Sequence, residues 1–443
     1  MTSVTHTFEH LILPEQAGSY FTLPFEIQPA ELPEGCEKLT IRYDYPRHDE
    51  QPQPLPNGTF HARPEINIID IGLLNPQGRQ VGASGSDKSE FFISEVAATP
   101  GYQPCPVEFG RWEILLGAYK VAPGGVRVRF EVTLQAKQGR WLKGDLHTHT
   151  LASDGVHTLE ELAWKAKRNG LDFVAVTDHN QFIATAGLPR LPGVTLIPGV
   201  EWTHYQGHAN FMGVDRPYDE PFATNTPEEA QARFRSARQR GATIMINHPF
   251  DETCGFQFDL QQLEFDCIEV WNGPMRESNL RAVGFWQQLL AAGKKVPACG
   301  GSDYHRDTPF IFLGGPSMGV FSLSAGAGDI LKAVRQGHSY IVFAPNGPQL
   351  ALTAGDKMMG DSLPWAEVKE MEIEASGLLA GDVLRVVTGR GAEVIFQAPT
   401  DGGVHLVYPM AEPGFARVEI LRAFLPGLPM LPALLSNPLY FDA

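Results

Sequence analysis

The sequence predicts a central α/β domain flanked on both sides by β-rich regions, and three observations carry that reading. Short apolar runs alternate with helical stretches between Trp141 and about Ala344. Before and after that span only strand-like alternation recurs, punctuated by turn residues. The chain also holds 45 Gly and 35 Pro in 443 residues, which favours many turns and short strands over long helices. At roughly 100–200 residues per domain this length suggests two to four domains. The boundaries that follow are an N-terminal β-sandwich over 1–138, an α/β domain over 139–345, and a C-terminal β-rich region over 346–443.

In the first region five runs read as strands: KLTIRYDY, EINIIDIGLL, FFISEVA, RWEILLGAY and VRVRFEVTLQA. The segments PRHDEQPQPLPNG and GASGSDKSE separate them, and no amphipathic helix interrupts. From Trp141 the apolar runs are FVAVTDH, TLIPGVEW, HANFMGV, TIMINHP, CIEVWNG and VPACGGSDYH. Helical stretches lie among them. TLEELAWKAKRNG opens with a capping box from Thr158 to Glu161 and ends at Gly170. TPEEAQARFRSARQRG repeats the signal with Thr226, Pro227 and Glu229 and closes at Gly241. NLRAVGFWQQLLAAGKK is the third. Strand–helix repetition implies parallel strands with right-handed crossovers, hence a barrel or an open sheet. After Pro345 the runs QLALTAG, VKEMEIEAS, VLRVVTG, EVIFQA, GVHLVY and ARVEILRA return to β. The Pro-rich apolar stretch FLPGLPMLPALLSNPLYF is expected to pack on another domain, and the C-terminal region is expected to pack on the N-terminal one.

Composition narrows the function. Hydrophobic residues make up 43% and charged residues 19%, a balance that can bury a core. The net charge of −16 repels phosphate backbones, so duplex nucleic acid is disfavoured and a small-molecule substrate is expected. No apolar run approaches the ~20 residues of a membrane helix. The start, MTSVTHTFEHLILPEQ, lacks a basic region followed by an apolar stretch. Five cysteines with no CxxC pair argue against a disulfide framework or a zinc ribbon. These features together predict a cytoplasmic location with no membrane partner and leave the oligomeric state open.

The chemistry gathers in the middle. Eight of the 14 histidines lie between His147 and His305. In GDLHTH, His147 and His149 are two apart and share one face of an extended chain, as two imidazoles gripping one ion would. Asp154 follows in a Ser-Asp-Gly turn. The next apolar runs deliver Asp178 and His179, then Glu201, His208 and His248, and finally Asp303 and His305, again two apart. Imidazole and carboxylate thus recur at the ends of strands, where α/β barrels carry their active sites. Such donors suit Zn, Mn and Fe. Nine ligands exceed one tetrahedral ion, so two or three divalent metal ions are expected. Any one of these histidines alone is as readily a hydrogen-bonded core or surface residue. The ordered series HxH, SDG, TDH, GxE, GH, NHP and GSDxH is far more specific than any member of it.

At GDLHTHTLASDG, LDFVAVTDHN, PGVEWTHYQGHAN, INHPF, IEVWNGP and GGSDYHR, in that order, the chain resembles the PHP (polymerase and histidinol phosphatase) superfamily of metallohydrolases. Within it the chain looks most like the carbaryl-hydrolase (CehA/McbA) branch. The resemblance covers about residues 141–345. It implies a distorted (β/α)7 barrel holding up to three metals. By that resemblance His147, His149, Glu201 and Asp303 hold the first, and Glu201 bridges to a second held by His208 and His248. Asp154, His179 and His305 hold the third.

The predicted activity is hydrolysis by a metal-activated hydroxide, with Glu201 and Asp303 central to it. Three dications against three carboxylates leave a positive pocket, which tilts the substrate toward a small anionic phosphoester. Arg306, beside His305, and Arg276 are candidate phosphate holders, and His204 is a candidate acid for the leaving group. Asp178 is expected to orient a ligand histidine, and Cys254 and Cys267 read as small hydrophobes. Three other readings stand beside this one. A carbamate, carboxyl-ester or amide hydrolase would use an apolar pocket near Trp202, Trp271 and Phe250. A metal-containing binding protein would act through its β regions. A nuclease is disfavoured by the net charge.

Overall fold

The computed structural model describes residues 3–49, 53–54 and 61–443. Of the expected turn segment 46–58, residues 50–52 and 55–58 lie outside the described residues. The chain forms two compact units, Met1–Gln138 and Gly139–Ala443.

The first unit is built from two four-stranded antiparallel sheets. One runs in the order Ser3–Ile12, Val126–Ala136, Cys36–Asp44, Glu90–Ser94. The other runs Ser19–Ile27, Gly110–Lys120, Ile68–Leu74, Gln80–Ser84. Along Val126–Ala136, Val126, Val128, Phe130, Val132 and Leu134 are buried. Trp112, Ile114 and Leu116 alternate in the same way on the facing sheet. All of them join one core, so each strand shows the period of two that a half-buried sheet requires. The strands Ser3–Ile12 and Ser19–Ile27 are absent from the sequence expectation, although VTHTFEHLI alternates as cleanly as its partner.

The second unit is organised around one long curled sheet. Its central part is formed by Ala298–Gly301, Cys267–Asn272, Thr243–Ile246, Gly207–Met212, Thr195–His204, Phe173–Val176, Arg140–Asp145, Ser317–Ser322 and Ser339–Val342, in that spatial order. Four helices accompany it: α1 (Leu159–Arg168), α2 (Pro227–Gln239), α3 (Glu277–Ala291) and α4 (Ala327–Gln336). The Thr158 hydroxyl accepts from the Glu161 N–H at 3.2 Å, and Glu161 accepts from the Thr158 N–H at 2.9 Å, which closes the capping box of α1. Gly170 then takes φ +76° just past the helix end. Helix α4 was not foreseen.

The expectation of uniformly parallel strands needs correction. Arg140–Asp145, Phe173–Val176 and Thr195–His204 are parallel neighbours, as are Thr243–Ile246, Cys267–Asn272 and Ala298–Gly301. Gly207–Met212, however, runs antiparallel between these two groups. Ser317–Ser322 is antiparallel to Arg140–Asp145 as well. The cause is local. Only Tyr205 and Gln206 join Thr195–His204 to Gly207–Met212, and a parallel return needs a crossover of a dozen or more residues. The unit is therefore mixed α/β and rich in sheet.

Curling brings the first and last strands of the parallel groups together. A Cβ at Gly301 would run into the His147 Cβ, so glycine is what lets the two backbones approach. Thr148 and Tyr304 form a parallel bridge there, with the His149 N–H donating to the Tyr304 carbonyl at 2.9 Å. The C-terminal strands extend the same sheet. Leu431–Ser436, from the Pro-rich apolar stretch, pairs with Ser339–Val342 on one side and Gly414–Arg422 on the other. Among the described residues no helix is long and apolar enough to cross a membrane.

Candidate metal centre

The parallel strands all end at one rim, and the rim collects the candidate ligands. His147 and His149 follow Arg140–Asp145, His179 follows Phe173–Val176, His248 follows Thr243–Ile246, and Asp303 and His305 follow Ala298–Gly301. Glu201 and His208 arrive through the antiparallel hairpin. Glu201 and Thr203 share a face, and His208 pairs with Thr203, so His208 and Glu201 are diagonal neighbours. Their Nδ1 and Oε1 atoms lie 3.1 Å apart.

All nine predicted ligands meet. Glu201 stands at the centre, with Oε1 3.3 Å from His147 Nε2 and 3.3 Å from His248 Nε2. Its Oε2 lies 2.8 Å from His179 Nδ1 and 3.5 Å from His149 Nε2. Asp303 Oδ1 lies 3.1 Å from His149 Nε2 and 3.4 Å from His147 Nε2. His149, Asp154, His179 and His305 bring ligand atoms within 4.8 Å of one another, and so do His147, His149 and Glu201. His147, His149 and Glu201 are fully buried and form the floor, whereas the Asp154 side chain is 56% exposed and marks the open side.

The backbone is strained where this cluster forms. Among the described residues three non-glycine residues have positive φ: Asn180 (51°), His248 (25°) and Asp303 (51°). Two are in the cluster and the third follows His179. Left-handed backbone at a β-rich rim costs energy and persists where the surroundings fix it, as at functional sites.

Electrostatics couples the groups. Burial alone would push His147 down, but Asp303, Glu201 and Glu269 outweigh it and hold the imidazole well above its usual value. Burial would raise Glu201, yet His147 and the imidazoles around it hold it well below the carboxylate range. Asp303 is held low in the same way, by His147 and His149. His149 goes the other way, because burial wins and keeps it neutral. A proton on His147 thus balances the carboxylates of Glu201 and Asp303, which would otherwise face one another.

The residues fit a bound cation on an independent observation. Four buried side-chain atoms of the cluster make no well-directed hydrogen bond, namely His147 Nε2, both ring nitrogens of His149, and Glu201 Oε2, although His149 Nε2 and Glu201 Oε2 stand 3.1 and 2.8 Å from Asp303 and His179. Buried polar atoms are nearly always satisfied. Four such atoms converging on one spot are the donor pattern of a site built for metal coordination.

Several neighbours that sequence reasoning missed hold the ligands in place. Glu269 Oε1 lies 3.1 Å from His147 Nδ1, and its Oε2 accepts from the His248 N–H at 2.8 Å. A carboxylate on the far nitrogen fixes the ring so that Nε2 faces the cluster. Asn247 donates to Glu201 at 2.8 Å, and Asn272 donates to Glu269 and Asp303 at 3.2 and 3.3 Å. His305 Nδ1 is held by the Asp303 carbonyl at 2.8 Å, which turns its Nε2 toward Asp154. The available signal was a lone carboxylate inside the apolar strand CIEVWN. Changing Glu269 to Gln is expected to weaken metal binding about 10–100-fold. Metal titration followed by bound-metal analysis would check this, and unchanged affinity would remove Glu269 from the site.

Three expectations are corrected. His204 does not reach the cluster: it is three residues from Glu201, so it faces the other side of the strand, beside Trp202. Its Nε2 is 3.0 Å from the Thr224 carbonyl, and its Nδ1 accepts from the Gln206 N–H. No ring nitrogen is left to protonate a leaving group. Asp178 holds the Asp154 turn rather than a histidine, accepting from the Thr150 N–H and from the Thr150 and Ser153 hydroxyls, each at 2.7 Å. Cys254 is no plain hydrophobe, since its Sγ lies 3.6 Å from His248 Nδ1. Arg306 is exposed beside His305. Arg276 donates to Asn272 at 3.0 Å and is half-exposed. A cavity of about 770 Å³, lined by Arg390, Glu412 and Tyr440 among others, contains none of the nine candidate ligands. Donor chemistry rather than volume marks the site.

Comparison with known proteins gives the same region. Residues 145–264 match the PHP domain family, a span that holds seven of the nine ligands and ends before Asp303 and His305. The chain is 34% identical over 110 residues to the 5'-3' exoribonuclease Rnm of Salmonella typhimurium, covering 22% of this chain and 36% of that protein. It is 30% identical over 109 residues to a 3',5'-nucleoside bisphosphate phosphatase of Chromobacterium violaceum, covering 23% and 37%. The matched part is thus little more than a third of either relative. Among solved structures, a two-domain Bacteroides vulgatus protein containing a predicted PHP-like metal-dependent phosphoesterase aligns with a TM-score of 0.40 at 17% identity, covering 63% of this chain and 90% of that one.

Proposed function

We propose that this protein is a metal-dependent phosphoesterase acting on a small anionic substrate, with two or three divalent ions held by His147, His149, Asp154, His179, Glu201, His208, His248, Asp303 and His305. The observation that carries the reading is the convergence of six imidazoles and three carboxylates around unsatisfied buried donor atoms. The names of the matched relatives support the phosphoester, since a bisphosphate phosphatase and an exoribonuclease both cleave phosphoester bonds.

When bound, such ions lower the pKa of a coordinated water and polarise the phosphoryl oxygens. The chain's own residues supply position and charge. Glu201 sits between the imidazoles of His147 and His248 and so can serve two ions at once. Glu269 and the Asp303 carbonyl lock the rings of His147 and His305, which lowers the cost of assembling the site. Asn272 ties Asp303 to Arg276, so a guanidinium stands one side chain away from the carboxylate cluster. Arg276 and Arg306 are assigned to the substrate phosphate, whose paired oxygens suit a planar guanidinium.

The carbamate reading loses two of the three aromatic residues that would favour it. Trp202 and Trp271 are buried in the core, with indole N–H groups bonded to the carbonyls of Phe222 and Gly273. They therefore form no open apolar pocket at the rim. The deciding experiment compares p-nitrophenyl phosphate with naphthyl carbamates before and after chelation. Phosphatase activity that vanishes in chelator and returns with Mn or Zn is the expected result. Activity that persists after metal content has fallen to zero would rule the mechanism out, and turnover of the carbamate alone would reassign the substrate.

A further inference from the structure

The exposed side of the cluster is built differently from its floor. Asp154 Oδ1 lies 3.7 Å from His179 Nε2 and 3.2 Å from His305 Nε2. Corners of a tetrahedral ion with metal–ligand bonds of about 2.0–2.2 Å stand about 3.3–3.6 Å apart, so these three atoms are spaced close to the ligands of one ion. For either ring to offer the Nε2 lone pair, its Nδ1 must carry the proton, and that proton needs an acceptor. The Asp303 carbonyl serves His305 in this way at 2.8 Å. For His179 the acceptor is a side chain, the Thr203 hydroxyl, 2.6 Å from Nδ1.

Thr203 is itself directed. Its hydroxyl donates to the Glu201 carbonyl at 3.1 Å, which leaves a lone pair, and no proton, for the His179 ring. The same ring nitrogen lies 2.8 Å from Glu201 Oε2, but that contact is not aligned as a hydrogen bond, so the orientation of the ring rests on Thr203. The sequence accounts for the placement. Glu201 and Thr203 point the same way from Thr195–His204, toward the rim. Asn180 then clamps the His179 segment onto that strand. Its side-chain amide donates to the Thr203 carbonyl at 3.1 Å, its side-chain oxygen accepts from the Thr203 N–H at 2.9 Å, and its own N–H donates to the Glu201 carbonyl at 2.9 Å. The clamp holds Asn180 at φ 51°, a left-handed conformation that asparagine adopts more readily than other non-glycine residues.

We infer that Thr203 is a positioning residue which, through His179, governs whether the outermost metal position, formed by Asp154, His179 and His305, is filled. The inference rests on the metal-site reading and adds to it that this ion is held independently of the inner ones. Without the hydroxyl, Nδ1–H has no aligned acceptor. The ring then turns, or carries its proton on Nε2 instead, and in either case the lone pair offered beside Asp154 is lost. The floor does not depend on Thr203 in this way, because Glu269 fixes the ring of His147.

The test uses Mn(II). The full chain, stripped by chelator, is titrated with Mn(II) while the free ion is read from its aqueous electron paramagnetic resonance signal, which gives the number of ions bound and their affinities. Thr203→Val keeps the shape and removes the hydroxyl, and it is expected to weaken the most loosely held ion about 10–100-fold while leaving the others unchanged. Thr203→Ser is expected to bind as the unaltered chain does. In a His179→Ala background Thr203→Val is expected to have no further effect, because both changes act on one ring. Unaltered binding by Thr203→Val would overturn the inference and leave the metal site standing. A Thr203→Ser variant that fails as far as Thr203→Val would also overturn it, by assigning the effect to packing of the methyl group. So would an equal loss of every ion, or a further loss in the His179→Ala background. Failure of the unaltered chain to bind any Mn(II) would bring down the metal-site reading itself, and this inference with it. Should circular dichroism show Thr203→Val to be unfolded, Thr203→Ala takes its place with the same expectation.

Discussion

Glu201→Gln is expected to abolish hydrolysis, lowering kcat/KM by about 10³-fold or more, which corresponds to at least about 4 kcal/mol of transition-state stabilisation. No other residue of the site touches so many partners. Its two oxygens face His147, His149, His179, His208 and His248 at 2.8–3.5 Å, and Asn247 donates to Oε1. Gln keeps the shape but removes the charge and presents N–H donors to nitrogens that must themselves donate electron pairs to a cation. Two signatures separate this from simple misfolding. Bound metal falls in proportion to activity, and the metal-free variant is less stable, because removing one partner from a buried charged cluster costs about 3–5 kcal/mol. A variant that still bound its full complement of metal and turned over phosphoester would show that Glu201 is structural only.

Most of the candidate site was legible because of where its imidazoles and carboxylates stand in the sequence. Each apolar run announces a buried strand, and a His, Asp or Glu at its end has nowhere to go but the rim. Parity was legible too. His147 and His149 share a face, as do Glu201 and Thr203, and the same rule puts His204 on the wrong face. What periodicity cannot reveal is Glu269, because all six residues of Cys267–Asn272 are buried and the strand shows no alternation. Cys254 is likewise invisible, since its approach to His248 depends on a turn made by Asp251 and Gly255. For the fold, local signals gave three helices, two of them with their caps. The antiparallel strand at Gly207 could have been read from its two-residue link. The pairing of Ile341 with Leu435 could not, because it joins residues far apart in the chain and rests on tertiary packing alone.

His149→Ala separates metal binding from folding more cleanly than any other change. His149 is fully buried, burial keeps it neutral, and neither ring nitrogen has a hydrogen-bond partner. Deleting a buried ring leaves a cavity, at a cost of about 2–5 kcal/mol for large-to-small changes. Against this, each orphaned polar atom already costs the metal-free protein about 1–3 kcal/mol, and the substitution removes two of them. The effects oppose each other at similar size, so the chelated variant should unfold within about 2 kcal/mol of the chelated parent. With metal present the two diverge. A ligand at 100 times its Kd stabilises the folded state by about 2.7 kcal/mol, and the variant forfeits most of that along with most of its activity. Thermal or denaturant unfolding in chelator and in saturating Mn or Zn measures both quantities. Equal metal-induced shifts in Tm for parent and variant would mean that the imidazole of His149 holds no ion. A large loss of stability in chelator would mean instead that its nitrogens are satisfied in the folded protein and that the cluster is a packing motif.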